Sequence, residues 1–194
     1  MRVSKDKAAE HRAAIVAAAG RLFRERGFDG VGVAEITKAA GLTHGGFYGH
    51  FPSKDALAAE ACDAPFQQSI DRLKGDDASP DGAFHAFLDR YLSEIHRDRP
   101  GAGCPMAAFV SEAGRQDPVV QARFADGVER YIAAVRERLP EASGDEARQR
   151  ARAITLVSAL VGGMALARAT AQADPDFSAE ILAALRAELE GMAG

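Results

Sequence analysis

Residues Val33–Phe51 read VAEITKAAGLTHGGFYGHF, and Gly41 divides them into two short helical pieces. In the first piece Val33, Ile36, Ala39 and Ala40 fall on one face of a helical repeat. Gly41 takes a positive φ at little steric cost, so it ends that helix and turns the chain. Leu42 is the apolar anchor of the turn, and Thr43 can cap the next helix through its hydroxyl. The second piece, His44–His50, is too short to stand alone in water. Phe47 and Phe51 must hold it against the first. A helix, a tight glycine turn and a short helix with a polar outer side form a helix-turn-helix, a motif that presents its second helix to the major groove of DNA.

Upstream, Ala8–Arg26 reads as a long helix with Ile15, Ala19, Leu22 and Phe23 on one face. Gly27 ends it, Phe28 folds back as the apolar cap, and Asp29-Gly30 marks a turn. Gly32 stands where a cap is needed, with Glu35 three residues on; Ser or Thr there would complete a capping box. Residues 1–52 are therefore expected to form a three-helix DNA-binding head. Downstream, Ser53 caps a helix beginning at Lys54, and Pro65 either kinks or ends it. Gly75–Gly82 reads as a loop. A stripe of Phe84, Phe87, Leu88, Tyr91, Leu92 and Ile95 predicts one helix from Ala83 to near Arg97. Met106–Gly114 is a short helix and Pro118–Leu139 a long one stopped by Pro140. Asp145–Gln172 and Phe177–Met192 complete an all-α chain of about nine helices, with residues 53–194 as its body.

The chain has 194 residues, 47% hydrophobic and 27% charged, which describes a globular protein. The net charge of −4 hides an asymmetry. Met1–Lys54 carries nine Lys/Arg against five Asp/Glu, so it is basic, while the remainder is acidic by eight charges. A basic head on an acidic body suits DNA contact at one end only. Cys62 and Cys104 have no metal-ligand spacing, and reduced thiols in the cytosol are expected. The N-terminus lacks a signal-peptide core. The apolar run Ile154–Ala167 reads as too short to span a bilayer. The expectation is a cytoplasmic protein with no membrane partner, metal or cofactor. Five scattered histidines, no phosphate-binding glycine loop and no nucleophile motif offer no catalytic constellation.

Residues Ile15–Leu57 resemble the DNA-binding domain of TetR/AcrR-type transcriptional repressors. The resemblance rests on Phe23 before Gly27-Phe28, Ile36 and Ala39, Gly41-Leu42, and Phe47-Tyr48-x-His50-Phe51-x-Ser53-Lys54-Asp55-x-Leu57. It implies a C-terminal body that binds small molecules and dimerises. Two departures stand out: Gly32 lacks the capping hydroxyl of many relatives, and His44-Gly45-Gly46 is unusually glycine-rich.

Thr43, His44, Gly45, Gly46 and Tyr48 are the candidates to face DNA, with Tyr48 resembling the family's phosphate-binding tyrosine. His50 is either a DNA contact or a support for Phe51. Lys54, at a helix start, suits a phosphate. One short helix reads few base pairs, so two heads on a palindromic site are required. A helix with almost no polar side, Ile154–Arg168, together with Phe177–Leu189 predicts a four-helix homodimer interface of two chains with Leu160, Val161, Met164, Leu182 and Leu185, the other reading being an intrachain core. Phe87, Tyr91, Met106, Phe109, Phe124 and Tyr131 either line an effector pocket or fill the core. Cys104, before Pro105 at a helix start, is either a thiol sensor or a small buried residue. The function these readings give is a repressor released from a palindromic operator by a small molecule or a thiol-reactive signal. The alternative is a helical protein-binding adaptor that keeps the helix-turn-helix as scaffold.

Overall fold

Among the residues described in the computed structural model (5–74, 80–139 and 145–191), nine α-helices and three single 3-10 turns account for all regular structure. The helices are α1 (Lys5–Arg26), α2 (Val33–Ala39), α3 (Lys54–Lys74), α4 (Pro80–Tyr91), α5 (Glu94–Asp98), α6 (Pro105–Phe109), α7 (Pro118–Arg136), α8 (Glu146–Thr170) and α9 (Pro175–Glu190). The described chain forms two compact units, Met1–Gln67 with Pro100–Gly127, and Gln68–Arg99 with Val128–Gly194.

In the first unit, α1 buries Ile15, Ala19, Leu22 and Phe23. Gly27, at φ 77°, ends it as expected. That position is doubly determined, because a Cβ there would meet the Glu112 carboxylate at 2.5 Å. Glu112 itself accepts a 2.9 Å hydrogen bond from the Phe28 N–H, and the Phe28 ring packs on Phe109 at 4.6 Å between centroids. The Arg24 guanidinium reaches the Gly101 carbonyl from the same end of α1. Residues 100–115 thus pin the C-terminus of α1 through a hydrogen bond, an aromatic contact and a guanidinium. No local pattern announces these partners.

The second unit is organised by the α8–α9 hairpin. Both helices are capped by aspartates that lie just before them. The Asp145 carboxylate accepts from the Arg148 N–H at 2.8 Å, and Asp174 from the Phe177 N–H at 3.0 Å. The two helices touch so closely at Gly163 that a Cβ would overlap the Leu185 side chain. α8 is long and apolar enough to cross a membrane by length and composition, with a mean hydropathy of 1.5 over 18 residues. The apolar run Ile154–Ala167 is the middle of this longer helix, which extends eight residues before it and three after it. Leu156, Leu160 and Met164 are buried within the protein, as in a core helix.

Three further expectations change. The helix read from Ala83 to Arg97 breaks after Tyr91, because Ser93 acts as a cap: its hydroxyl accepts from the His96 N–H at 3.1 Å and donates to the Arg90 carbonyl at 2.9 Å. Ile95 leaves the apolar stripe and stands exposed. The loop read over Gly75–Gly82 gives way to α4 at Pro80, where proline needs no N–H partner; residues 75–79 lie outside the described residues, as do Pro140 and Met192. The helix read over Met106–Gly114 spans only Pro105–Phe109, with a separate 3-10 turn at Ala113–Arg115. α3 is continuous through Pro65.

Candidate nucleic-acid interface

Gly41, at φ 73°, closes α2 in a Schellman turn. The Leu42 N–H donates to the Thr37 carbonyl at 2.8 Å and the Gly41 N–H to the Lys38 carbonyl at 3.0 Å. The recognition segment then departs from expectation. Only His44–Gly46 is helical, as one 3-10 turn, followed by hydrogen-bonded turns to His50. Consecutive glycines supply no helix propensity, and a 3-10 turn is the shortest helical form the backbone can close. The segment is held from beneath instead. Phe47 and Phe51 are fully buried, their rings 5.8 Å apart, and the Phe51 N–H donates to the Phe47 carbonyl at 3.0 Å.

On this base Tyr48 stands 63% exposed, its ring edge-on to Phe47. Thr43 and Gly45 are exposed and Gly46 half-buried. The His44 side chain lies outside what is described. His50 is half-buried, its ring 6.3 Å from that of His11 on α1 in a T-shaped contact. Lys54 opens α3, whose cap is the Ser53 hydroxyl accepting from the Ala56 N–H at 3.1 Å. Its ammonium lies 5.9 Å from the centroid of the Phe23 ring. Arg12 is committed elsewhere: it pairs with Glu60 and lies 4.6 Å over the Phe51 ring. The segment is therefore a polar, glycine-loosened turn on a rigid aromatic base. Gly32 caps α2 with extended backbone and no side chain, and Glu35 pairs with Arg26.

The other candidate residues are dispersed. Met106 and Phe109 are buried in the first unit, where Phe124 packs on Phe66 at 5.7 Å. Phe87, Tyr91 and Tyr131 are buried in the second. There Phe87 joins Leu73, Phe84, Val135 and Arg138 around a cavity of about 10 Å³, room for one water. Cys104 precedes α6 as read, but it is 5% exposed. Burial pushes the Cys62 thiol up to about 12. Of the residues expected at a dimer face, Leu160, Val161, Met164 and Leu182 are buried in their own subunit and Leu185 packs on Gly163. Among the exposed residues of α8, Ile154, Ser158, Gly162 and Leu166 recur at helical spacing on one side. Among the described residues no three His, Cys, Asp or Glu converge on a metal-sized site.

A helix-turn-helix with a polar turn raised on buried aromatics, followed by a helical body, defines a DNA-binding transcriptional regulator rather than an enzyme. Residues 15–61 match the profile described as bacterial regulatory proteins, tetR family, and residues 80–175 match that of the transcriptional regulator LmrA/YxaF-like C-terminal domain. The chain belongs to the TetR family of helix-turn-helix transcriptional regulators. It is 26% identical over 167 residues to the HTH-type transcriptional regulator LmrA of Bacillus subtilis (strain 168), covering 84% of this chain and 88% of that one. It is 30% identical over 115 residues to the HTH-type transcriptional repressor DhaR of Mycobacterium sp. (strain GP1), covering 58% and 57%. Its fold is that of the reduced form of E. coli NemR, with a TM-score of 0.75 at 20% identity over 93% of this chain and 95% of that one.

Proposed function

We propose that the protein is a homodimeric repressor that binds a palindromic operator and is released by a small molecule. The observation that carries the reading is the exposed turn Thr43–Tyr48 on the buried Phe47–Phe51 base. Such a base presents backbone and small side chains to a groove wall without moving. In this reading Thr43, His44, Gly45 and Gly46 approach base edges, while Tyr48, His50 and Lys54 bond backbone phosphates and fix register. Residues 1–52 are the DNA-binding head, and residues 53–194 bind the effector and dimerise. The protein acts in the cytoplasm, where the DNA is.

The second subunit is proposed to seat on the seam Ile154-Ser158-Gly162-Leu166, with Phe177 of α9 beside it. Of the two helices expected there, Leu160, Val161, Met164 and Leu182 fill the hairpin's own core. Ile154, Leu166 and Phe177 are large apolar side chains at least 40% exposed, and a serine and glycine between them allow close helix approach. An effector is proposed to enter among the buried aromatics. It releases DNA only by binding one head spacing better than the other. α3, which leads from the head into the body, is the lever.

The test is binding of purified protein to duplexes selected from a random pool, across a salt series. The reading expects an inverted repeat whose affinity falls steeply with salt, because phosphate contacts release counterions. A monomeric mass at micromolar concentration, or binding without repeat symmetry, contradicts it.

A further inference from the structure

A groove of about 280 Å³ opens between the first turns of α1 and the recognition turn. It is lined by Ala8 and His11 of α1, Leu42 and Thr43 of the turn, and Gly46 and His50 beyond it. Among the described residues, its polar side chains are two imidazoles and a hydroxyl, and no carboxylate lines it. The two rings stand nearly perpendicular, at 85°. Each imidazole carries an N–H in either tautomer, so both can donate to one oxygen, and the Thr43 hydroxyl can donate to a third position. Ala8 and Gly46 leave the floor open; a Cβ on Gly46 would meet only the Thr43 hydroxyl, at 3.9 Å.

The charges around the groove point to the same occupant. Lys7 lies one helical turn before His11 on the same side of α1 and is exposed. Asp6 and Glu10 project from other sides of the helix. The groove is also continuous with the face that carries Thr43 and Tyr48. Thr43 lines the groove and also belongs to the recognition turn, so a backbone phosphate of DNA held at that turn would lie within the groove's reach.

We propose that this groove seats a backbone phosphate of the operator, held by His11 together with His50 and Thr43, with Lys7 at its rim. The start of α1 thereby becomes a second contact that fixes the angle at which the recognition turn enters the major groove. The proposal rests on the reading that Thr43–Lys54 faces duplex DNA. His11 is the new element, since nothing in its own helix distinguishes it from a surface histidine.

The experiment uses the full-length protein and a duplex recovered by selection. Affinity is measured by fluorescence anisotropy over a salt series for the wild type and for the His11→Ala, His11→Gln, Tyr48→Phe and Lys54→Ala variants. His11→Ala is expected to weaken binding about tenfold, the worth of one charged hydrogen bond. The slope of log affinity against log salt is expected to change less than in Lys54→Ala, because a neutral N–H donor displaces no counterion. His11→Gln keeps an N–H donor and should retain most of the affinity. Should His11→Ala lower the melting temperature, duplexes carrying one neutral methylphosphonate at a time separate contact from folding. At one position the wild type and His11→Gln lose affinity and His11→Ala loses less, whereas a merely structural His11 leaves every position equally sensitive in all three. Unchanged affinity in His11→Ala, with Tyr48→Phe and Lys54→Ala weakened, overturns the groove and leaves the interface standing. Absence of duplex binding by the wild type overturns both.

Discussion

Gly45→Ala separates two consequences of the glycine-rich turn. Gly45 has no positive φ, and a Cβ built on it meets nothing within 4 Å. The free protein therefore accepts alanine without strain. Loss of glycine's freedom in the unfolded chain should stabilise the fold by about 0.4–1 kcal/mol. For a chain of this size that raises the melting temperature by roughly 1–4 °C. In the complex the same methyl stands one bond, about 1.5 Å, off a backbone that the proposed interface sets against the groove wall. It displaces the turn from its base contacts, and the loss of one good polar contact is about tenfold in affinity. Differential scanning calorimetry of the free protein and anisotropy on the selected duplex give the two numbers. The expected pair is a higher melting temperature with weaker binding. Tighter binding by the alanine variant would refute the close approach and show instead that the glycines only loosen a turn that DNA must order.

Gly163→Ala should cost about 1–3 kcal/mol by overpacking against Leu185, read from urea denaturation; adding Leu185→Ala should recover part of that loss, and strictly additive costs would deny the contact. Glu112→Ala leaves the Phe28 N–H without its acceptor and should cost about 1–3 kcal/mol; Glu112→Gln keeps an amide oxygen and should cost less, and equal losses would contradict the bond. Burial lowers His96 to about 4, below its ordinary 6.5, with its Nδ1–H donating to the Tyr91 carbonyl at 2.7 Å. The unfolded chain thus binds a proton that the folded chain excludes as pH falls from 6.5 towards 4. Stability should drop across that window by up to about 1.4 kcal/mol per pH unit. His96→Gln should flatten the profile, and an unchanged profile would place the acid sensitivity elsewhere.

Much of this fold is legible in the sequence because its signals are local. Gly27 and Gly41 sit at positive φ where the pattern requires a stop. Ser53, Asp145 and Asp174 cap the helices that follow them. The aromatic base of the recognition turn is equally plain, since Phe47 and Phe51 are the only way to hold so short a segment. Ser93 is not legible as a break, because one polar residue inside an apolar stripe looks like tolerance, and only its hydroxyl's bond to the His96 N–H marks it as the cap of α5. The burial of α8's apolar face is legible, but periodicity does not say what covers it. Leu160 and Met164 turn out to face their own subunit. Glu112 and His11 gave no signal at all. Each acts across the fold, on Phe28 and on the groove beside His50, and nothing in their neighbouring residues records those partners.

The central claim is that the turn Thr43–Tyr48 enters duplex DNA. Footprinting with the wild type and Tyr48→Phe on a duplex drawn from a random pool tests it most directly. The account predicts two protected half-sites about one helical turn apart, with protection lost at lower salt in the variant. A protein that enriches no duplex, or a footprint indifferent to Tyr48, His50 and Lys54 substitutions alike, would contradict it.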